Sequence, residues 1–223
     1  MQADYSVELE PDDPVLEIPW HSADTTVRYY DLRGRPDLVP NVPEAQDNPE
    51  LAAFLIRINT AKFSLQTAKC DAWSSHEISA EEEIFGAKCK FTSYIDLLFV
   101  HEAPRTSFGQ HEALAKKLCD LLHHVPEMAA AVELVIRRCV YHLTEVIDQT
   151  NTLEKPDSPD QVNTQKRKIN AAQQSAKLPS APTSGFYITA YVSGFGDNEE
   201  DAGQSWSIAL KLLQYALVQL CNG

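Results

Sequence analysis

The sequence lacks any apolar run approaching the roughly 18 residues that a membrane-spanning helix needs. Its first residues, Met1 to Tyr5, have neither the basic start nor the apolar stretch of a signal peptide, so we expect a cytoplasmic protein. The motifs GxGxxG, Walker loop, HExxH and GxSxG are also absent. These absences argue against a membrane protein or a secreted precursor, and they leave no motif-based argument for an enzyme.

Cysteine is scarce, and its pattern contains no close pairs. The chain has five cysteines and no CxxC: Cys70, Cys89, Cys119, Cys139 and Cys221. An odd number at wide spacing is typical of free thiols in a reducing compartment, not of a disulfide framework. Each cysteine lies in an apolar or alternating stretch, so we interpret them as small buried hydrophobes and not as catalytic nucleophiles.

Positive charge is also scarce. The chain has 19 basic and 32 acidic residues, a net charge of −13, which argues against general affinity for nucleic acid or an anionic membrane. One basic cluster, Lys166 to Lys168, interrupts this pattern. We interpret it as ordinary surface or as a seat for the acidic N-terminal segment.

The N-terminal segment is acidic and rich in proline. Residues 1–50 contain twelve acidic residues, three basic residues and seven of the thirteen prolines. Proline removes a backbone donor, so no long helix is expected there. The segment is nevertheless too apolar for a disordered tail, with these large apolar residues: Val7, Leu9, Leu16, Ile18, Trp20, Tyr29, Tyr30 and Leu32. We therefore predict an extended arm over 1–47 that packs along the outside of a single α+β domain over 48–223.

The domain itself shows alternating helical and strand periodicity. The predicted elements, in chain order, are helix 49–61, strand 63–73, strand 84–100, helix 108–124, strand 132–146, strand 186–195 and helix 202–221. Between the last two strands, residues 148–184 are polar, contain four prolines and have no core pattern. This stretch is a predicted insertion, with an exposed helix over 161–177.

Two helices share a short sequence pattern. At an offset of 94 residues, Gly109-Gln110 matches Gly203-Gln204, and both helices begin with a capping-box pattern, at Ser107 and at Asp201. An internal ββα-ββα duplication would explain this, and chance similarity between two amphipathic helices is the alternative. With a duplication, the fold is a four-stranded antiparallel sheet with the helices on one face, a permuted relative of the ferredoxin-like arrangement.

The last helix is apolar on more than one side. Its main stripe contains Trp206, Leu210, Leu213 and Leu217, and a second apolar set lies elsewhere on its circumference: Ile208, Leu212, Tyr215 and Val218. A helix that is apolar nearly all round needs a second covering layer. We predict that this layer is a second subunit, in a homodimer, and the arm is the alternative.

One loop between a predicted strand and a predicted helix gathers polar groups of chemical interest: His101, Glu102, Arg105 and His111. His111 falls in the first turn of the helix, where the helix dipole disfavours a charged imidazole. A neutral histidine there is suited to act as a base or a ligand. The alternative is a solvated polar loop.

Two further sets are weaker candidates. Asp197, Glu199 and Asp201 are suited to a hard cation, but acidic residues also pair with a helix N-terminus and the EF-hand pattern is absent, so no metal is expected. Trp20, Tyr29 and Tyr30 either line a ligand pocket or pin the arm to the sheet. No cofactor is expected.

These features together predict a non-enzymatic, homo-oligomeric α+β binding or assembly module with an unidentified ligand. The alternative hypothesis is an enzyme of unassigned class with its site in the 101–111 loop. That hypothesis requires the four polar side chains to converge in a pocket.

Overall fold

A six-stranded sheet with helices packed on it dominates the computed structural model, which describes residues 1–13, 15–18, 30–142 and 182–221. The chain divides into one unit of residues 1–141 and 184–223 and a second unit of residues 142–183. Of the predicted insertion, only residues 182–184 are described, so the predicted helix 161–177 and the basic cluster lie outside the described residues.

The strands, in chain order, are β1 (Gln2–Glu8), β2 (Leu16–Ile18), β3 (Leu65–Ser75), β4 (Cys89–Phe99), β5 (Ala130–Tyr141) and β6 (Thr183–Gly196). Their order across the sheet is β1-β5-β6-β4-β3, with β2 also paired to β5. Pairs β3–β4 and β4–β6 are antiparallel, whereas β1 and β2 are both parallel to β5. The sheet is therefore mixed.

The prediction of a four-stranded antiparallel sheet was wrong because the N-terminal arm enters the sheet. Strand β1 pairs with β5 from Gln2 opposite Ala131 to Glu8 opposite Arg137, and β2 continues along the same edge. The outer edge of β5 would otherwise leave a row of backbone donors and acceptors without partners. The arm provides those partners.

The helices of the described residues are α1 (Pro43–Asp47), α2 (Pro49–Ile58), α3 (Glu102–Arg105), α4 (Phe108–His123) and α5 (Glu199–Cys221), with 3-10 turns at Pro36–Asn41 and Glu82–Phe85. The predicted helices 49–61, 108–124 and 202–221 correspond to α2, α4 and α5. Proline at the first position of α2 suits a helix start, since the missing N–H has no intrahelical acceptor there.

The main hydrophobic core lies between one face of the sheet and helices α2, α4 and α5. Alternation along β4 separates the two faces, because successive side chains of a strand point to opposite sides. Ile95 and Leu97 belong to the core beneath the helices, whereas Leu98 belongs to a smaller apolar cluster with Ile18 and Tyr141. We call the side of the sheet away from the helices the second face.

Helix α5 starts earlier than predicted. Asn198 accepts a hydrogen bond from the Asp201 backbone N–H at 3.0 Å, and its amide donates to the Asp201 carboxylate at 2.6 Å. Asn198 is therefore the N-cap residue, three residues before the predicted cap, and the Asp201 carboxylate accepts from its side-chain amide and not from its backbone N–H. At α4, Ser107 occupies the predicted cap position, but its side chain makes no capping hydrogen bond.

Candidate functional site

A row of polar side chains crosses the second face. Arg137 on β5 donates through Nε to the Glu8 carboxylate on β1 at 2.7 Å and through Nη1 to the Thr189 hydroxyl on β6 at 3.3 Å. The Thr189 hydroxyl in turn donates to Asp96 Oδ1 on β4 at 2.7 Å. We call these four residues the charged row. They link four strands that are distant in sequence.

Aromatic rings lie beside the charged row. The Tyr191 hydroxyl accepts a third hydrogen bond from Arg137 at 3.3 Å, and the guanidinium carbon lies 5.8 Å from the centre of the Tyr191 ring. The Tyr191 and Tyr94 rings have centroids 6.1 Å apart, and Tyr94 and Trp73 are separated by 6.3 Å. These three residues form an aromatic strip across β6, β4 and β3. Trp73 is 40% exposed at its outer end.

Asp96 is the most unusual member of the charged row. It is only 4% exposed, although an ionised carboxylate strongly prefers water. Burial raises the pKa of Asp96 to about 6, against the opposing effects of the Thr189 hydroxyl and of the positive charges on Lys69 and Arg137. A perturbed carboxyl with defined partners is a recognised mark of a functional site.

Arg137 keeps its charge in this setting. Burial acts against the charge, but hydrogen bonds to Glu8 and Tyr191 outweigh it and raise the pKa of Arg137. Its side chain retains 21% exposure and that of Glu8 retains 42%. The row therefore combines a buried carboxyl with a guanidinium that reaches the surface.

The four residues predicted for the 101–111 site occupy different environments. His101 and Glu102 are exposed at the start of α3. Arg105 donates to the backbone carbonyls of Phe99 and Val100, and its guanidinium carbon lies 4.6 Å from the centre of the Tyr141 ring. Among the described residues, no hydrogen bond, ion pair or ring contact joins the side chains of any two of the four. The prediction of a site there remains a prediction.

His111 belongs to α4, and its side chain is buried. It is 1% exposed, with its ring 4.9 Å from Phe99 and 5.8 Å from Phe186 between centroids. Nδ1 lies 2.8 Å from the Ser107 carbonyl, whereas Nε2 makes no hydrogen bond of ordinary geometry within the part of the chain that the structure describes. Burial lowers the pKa of His111, although the Ser107 and Phe186 backbones favour the protonated ring. The largest cause of the lowered pKa is burial, which favours the neutral imidazole.

The predicted acidic candidates lie at the start of α5, each with its own partner. Asp197 lies 3.2 Å from Lys88 Nζ, and Glu199 lies 3.6 Å from His76 Nε2. Asp201 is hydrogen-bonded to the Asn198 side chain through its carboxylate and its backbone N–H. Within residues 1–13, 15–18, 30–142 and 182–221, no group of three His, Cys, Asp or Glu side chains is placed to hold a metal ion.

Of the predicted arm aromatics, only Tyr30 lies among the described residues. It is half-buried and packs against the main core. Trp20 and Tyr29 lie outside the described residues.

The five cysteines are free; four are buried, and Cys70 is half-buried. Burial raises the pKa of the Cys70 and Cys139 thiols to about 12 and that of Cys119 to about 11. Thiols with such pKa values are poor nucleophiles at neutral pH.

A groove of about 370 Å³ lies at one end of the sheet. It is lined by Met1, Gln2, Ile84, Phe85, Glu127, Met128 and Ala129. None of the predicted site residues, and no member of the charged row, lines it.

The charged row was not predicted from the sequence, although the sequence contains an indication of it. Asp96 interrupts the apolar run from Ile95 to Val100, and Arg137 follows the apolar residues Leu134 to Ile136. A charge inside a buried strand marks a position that packing alone does not explain. The sequence did not indicate that the two charges lie on the same face, separated by one strand.

No described helix is long and apolar enough to cross a membrane. No protein-family model matches the chain, and neither the curated proteins nor the solved structures contain a significant match to it.

Proposed function

We propose that this protein is a non-enzymatic, homo-oligomeric binding module whose ligand site is the second face around the charged row and the aromatic strip. The observation that carries the proposal is the burial of Asp96 in a hydrogen-bonded line with Thr189 and Arg137. Burying an ionisable group costs free energy, so hydrophobic packing does not explain why Asp96 is buried. Such groups concentrate where ligands bind.

The chemistry of this surface favours a small ligand that is uncharged or zwitterionic. The aromatic strip offers apolar ring surface, and Arg137 and Glu8 offer a donor and an acceptor whose charges balance each other. The net charge of −13 disfavours a strongly anionic ligand. This combination of ring surface with a few fixed polar groups is typical of small-molecule sites.

Differential scanning fluorimetry with free amino acids, nucleosides and monosaccharides tests this proposal. We expect one of these classes to raise the melting temperature in a saturable way and to change the fluorescence of Trp73. Tyr94→Leu and Arg137→Gln should each abolish the effect, whereas the matched surface change Ile84→Ser should retain it. Binding that survives both site variants would place the ligand elsewhere.

The competing proposal is an enzyme that uses the 101–111 loop. In its favour, His111 Nε2 is buried and makes no hydrogen bond of ordinary geometry to any described residue. Against it, His101 and Glu102 are exposed on α3, and no side-chain contact joins either of them to His111. Elemental analysis of the purified protein separates the two proposals, since stoichiometric zinc or calcium would favour the enzyme.

We also infer that the ββα-ββα pattern reflects an internal duplication with a permuted ferredoxin-like arrangement. The strand order supports this, because β4 and β6 pair antiparallel in the middle while β3 and β5 flank them. Two ββα units related by a two-fold axis between β4 and β6 would have this order.

We also propose a cytoplasmic location, which the free cysteines support.

A further inference from the structure

The outward side of α5 carries little charge. Between Ala202 and Cys221 the helix has one charged residue, Lys211, in a chain of which 23% of the residues are charged. Spacings of three and four residues align an outward stripe, which consists of Gln204, Ile208, Lys211, Leu212, Tyr215 and Gln219. We call this set the outer stripe.

Two large apolar side chains of the outer stripe are exposed. Ile208 is 45% exposed and Tyr215 is 65% exposed, and half-buried Leu212 lies between them. On the opposite side of the helix, Trp206 and Leu213 are buried in the core. Strands β4 and β5 and helices α2 and α4 contact α5, and Ile208 and Tyr215 of the outer stripe stay exposed.

The single charge in the stripe is balanced locally. Lys211 Nζ lies 3.8 Å from the Glu50 carboxylate on α2 and donates to the Ser207 hydroxyl at 3.2 Å. The stripe is consequently close to neutral on a protein with a net charge of −13. Two copies of such a protein repel each other, and the repulsion is least where a neutral surface faces another neutral surface.

We propose that the outer stripe pairs with the outer stripe of a second copy, with the two helices antiparallel about a two-fold axis near Lys211 and Leu212. A two-fold interface brings the same surface from both subunits together. Ile208 and Tyr215 lie on either side of that axis, so Ile208 of one copy packs against the partner's Tyr215. The pairing is self-complementary.

The acidic end of α5 determines the direction of pairing. Glu199, Glu200 and Asp201 occupy its first turn. A parallel pair would place the two acidic turns side by side. At 1.5 Å per residue, an antiparallel pair separates them by roughly 35 Å, well beyond the screening length of about 8–10 Å.

This inference rests on the homo-oligomeric part of the proposed function, and sedimentation equilibrium tests it. We expect the wild type to dimerise. Ile208→Glu and Tyr215→Glu should each weaken the dimer at least tenfold, because each places a charge in an apolar contact. The matched control is Ile84→Glu, the same change at an isoleucine that is 66% exposed outside α5. It should leave the dimer intact, and circular dichroism should show all three variants folded.

Salt dependence gives a second readout. Added sodium chloride should strengthen the dimer, because it screens the repulsion between two acidic chains and leaves a neutral interface unaffected. Weakening by salt would indicate an interface held by ion pairs and would overturn the proposal.

Crosslinking tests the geometry without placing a charge in the interface. Lys211→Cys lies next to the proposed axis, so a short bismaleimide should link it to its own counterpart. Gln204→Cys should not be linked, because antiparallel pairing separates the two copies of residue 204 by roughly 22 Å at 1.5 Å per residue. The native thiols are buried or half-buried and add little background. If both variants are linked, the helices pair in parallel and the proposed antiparallel pairing is wrong. If neither variant is linked, the two copies do not meet at the outer stripe.

The two proposals fail in distinguishable ways. A wild type that is monomeric at every concentration overturns both the interface and the homo-oligomeric part of the proposed function. A dimer that withstands Ile208→Glu and Tyr215→Glu overturns only the interface. Ligand binding on the second face is measured independently, through Tyr94 and Arg137.

Discussion

At the scale of single residues, Asp96 shows how a carboxyl group is tolerated inside a strand. Its neighbours along β4, Ile95 and Leu97, face the main core, so alternation directs Asp96 to the second face. There the Thr189 hydroxyl donates to it, and Arg137 contributes a nearby positive charge. These contacts reduce the cost of burial but do not remove it, because the pKa of Asp96 remains raised, at about 6.

The pH dependence of stability follows from this pKa. The folded value of about 6 exceeds the reference value of 3.8, so the native state binds the proton more tightly than the unfolded chain does. The resulting stability is fully present below about pH 4 and is lost as the pH rises through 6. Asp96→Asn removes this dependence while keeping an acceptor for Thr189.

We expect Asp96→Asn to be more stable than the wild type at pH 7.5, by on the order of 1–3 kcal/mol. The difference should shrink toward pH 4, as measured by chemical denaturation at several pH values. Thr189→Val serves as the control, since it removes the hydroxyl that favours the ionised form and should destabilise the protein at pH 7.5. A pH-independent difference between Asp96→Asn and the wild type would contradict the assignment of a raised pKa.

At the scale of elements, the contact between β6 and α5 depends on glycine. A Cβ atom on Gly194 would overlap the backbone of Trp206 and Ala202, and one on Gly196 would meet the start of α5. The absence of side chains lets the helix lie directly against the strand. That approach brings Trp206 Nε1 within 2.9 Å of the Ser93 hydroxyl, to which it donates a hydrogen bond.

We therefore expect Gly194→Ala to destabilise the protein by roughly 3 kcal/mol or more, because the backbone of α5 cannot yield as a flexible side chain would. The matched control is Gly203→Ala on α5, where an added Cβ meets nothing within 4 Å. That change should stabilise the protein by about 0.5–1 kcal/mol, since alanine favours a helix. Thermal and urea unfolding measure both changes, and similar effects of the two would contradict the close approach.

At the scale of the whole molecule, the N-terminal arm is part of the sheet. It contributes β1 and β2 to the edge of β5, it places Ala3 in the core, and its Glu8 holds Arg137 in the charged row. The arm thus links the completion of the fold to the geometry of the candidate site.

Deletion of residues 1–18 should lower the melting temperature and cause aggregation, because it uncovers the backbone of β5 along a whole edge. Thermal melting and light scattering measure the two effects. Glu8→Gln is the control for the lost ion pair alone; it keeps both strands and should remain soluble. A soluble deletion variant with an unchanged melting temperature would show that the edge needs no cover.

The sequence predicted those parts of the fold that depend on local pattern. Helices α2, α4 and α5 and strands β3 to β6 follow from apolar spacing. The stripe of Trp206, Leu210, Leu213 and Leu217 on α5 is buried as its spacing predicted. The acidic residues after β6 likewise indicated a helix start, although the capping residue is Asn198 and not Asp201.

The candidate site was not predictable from the same signals. The alternative enzyme hypothesis required the polar residues from His101 to His111 to converge. A short helix exposes His101 and Glu102, and the core buries His111. The charged row instead joins Glu8, Asp96, Arg137 and Thr189, which are far apart along the chain. Only strand pairing makes them neighbours.

The sequence by itself determined the helices and strands, the acidity of the arm and the free cysteines, because each depends on composition or on periodicity within a short window. Only the tertiary structure decided that the sheet is mixed, that the arm pairs with β5, and that Asp96 and Arg137 share one face. These features depend on which strand edges meet. Backbone hydrogen bonds between strands depend little on residue type. Which strand edges pair is therefore determined by the packing of the whole chain.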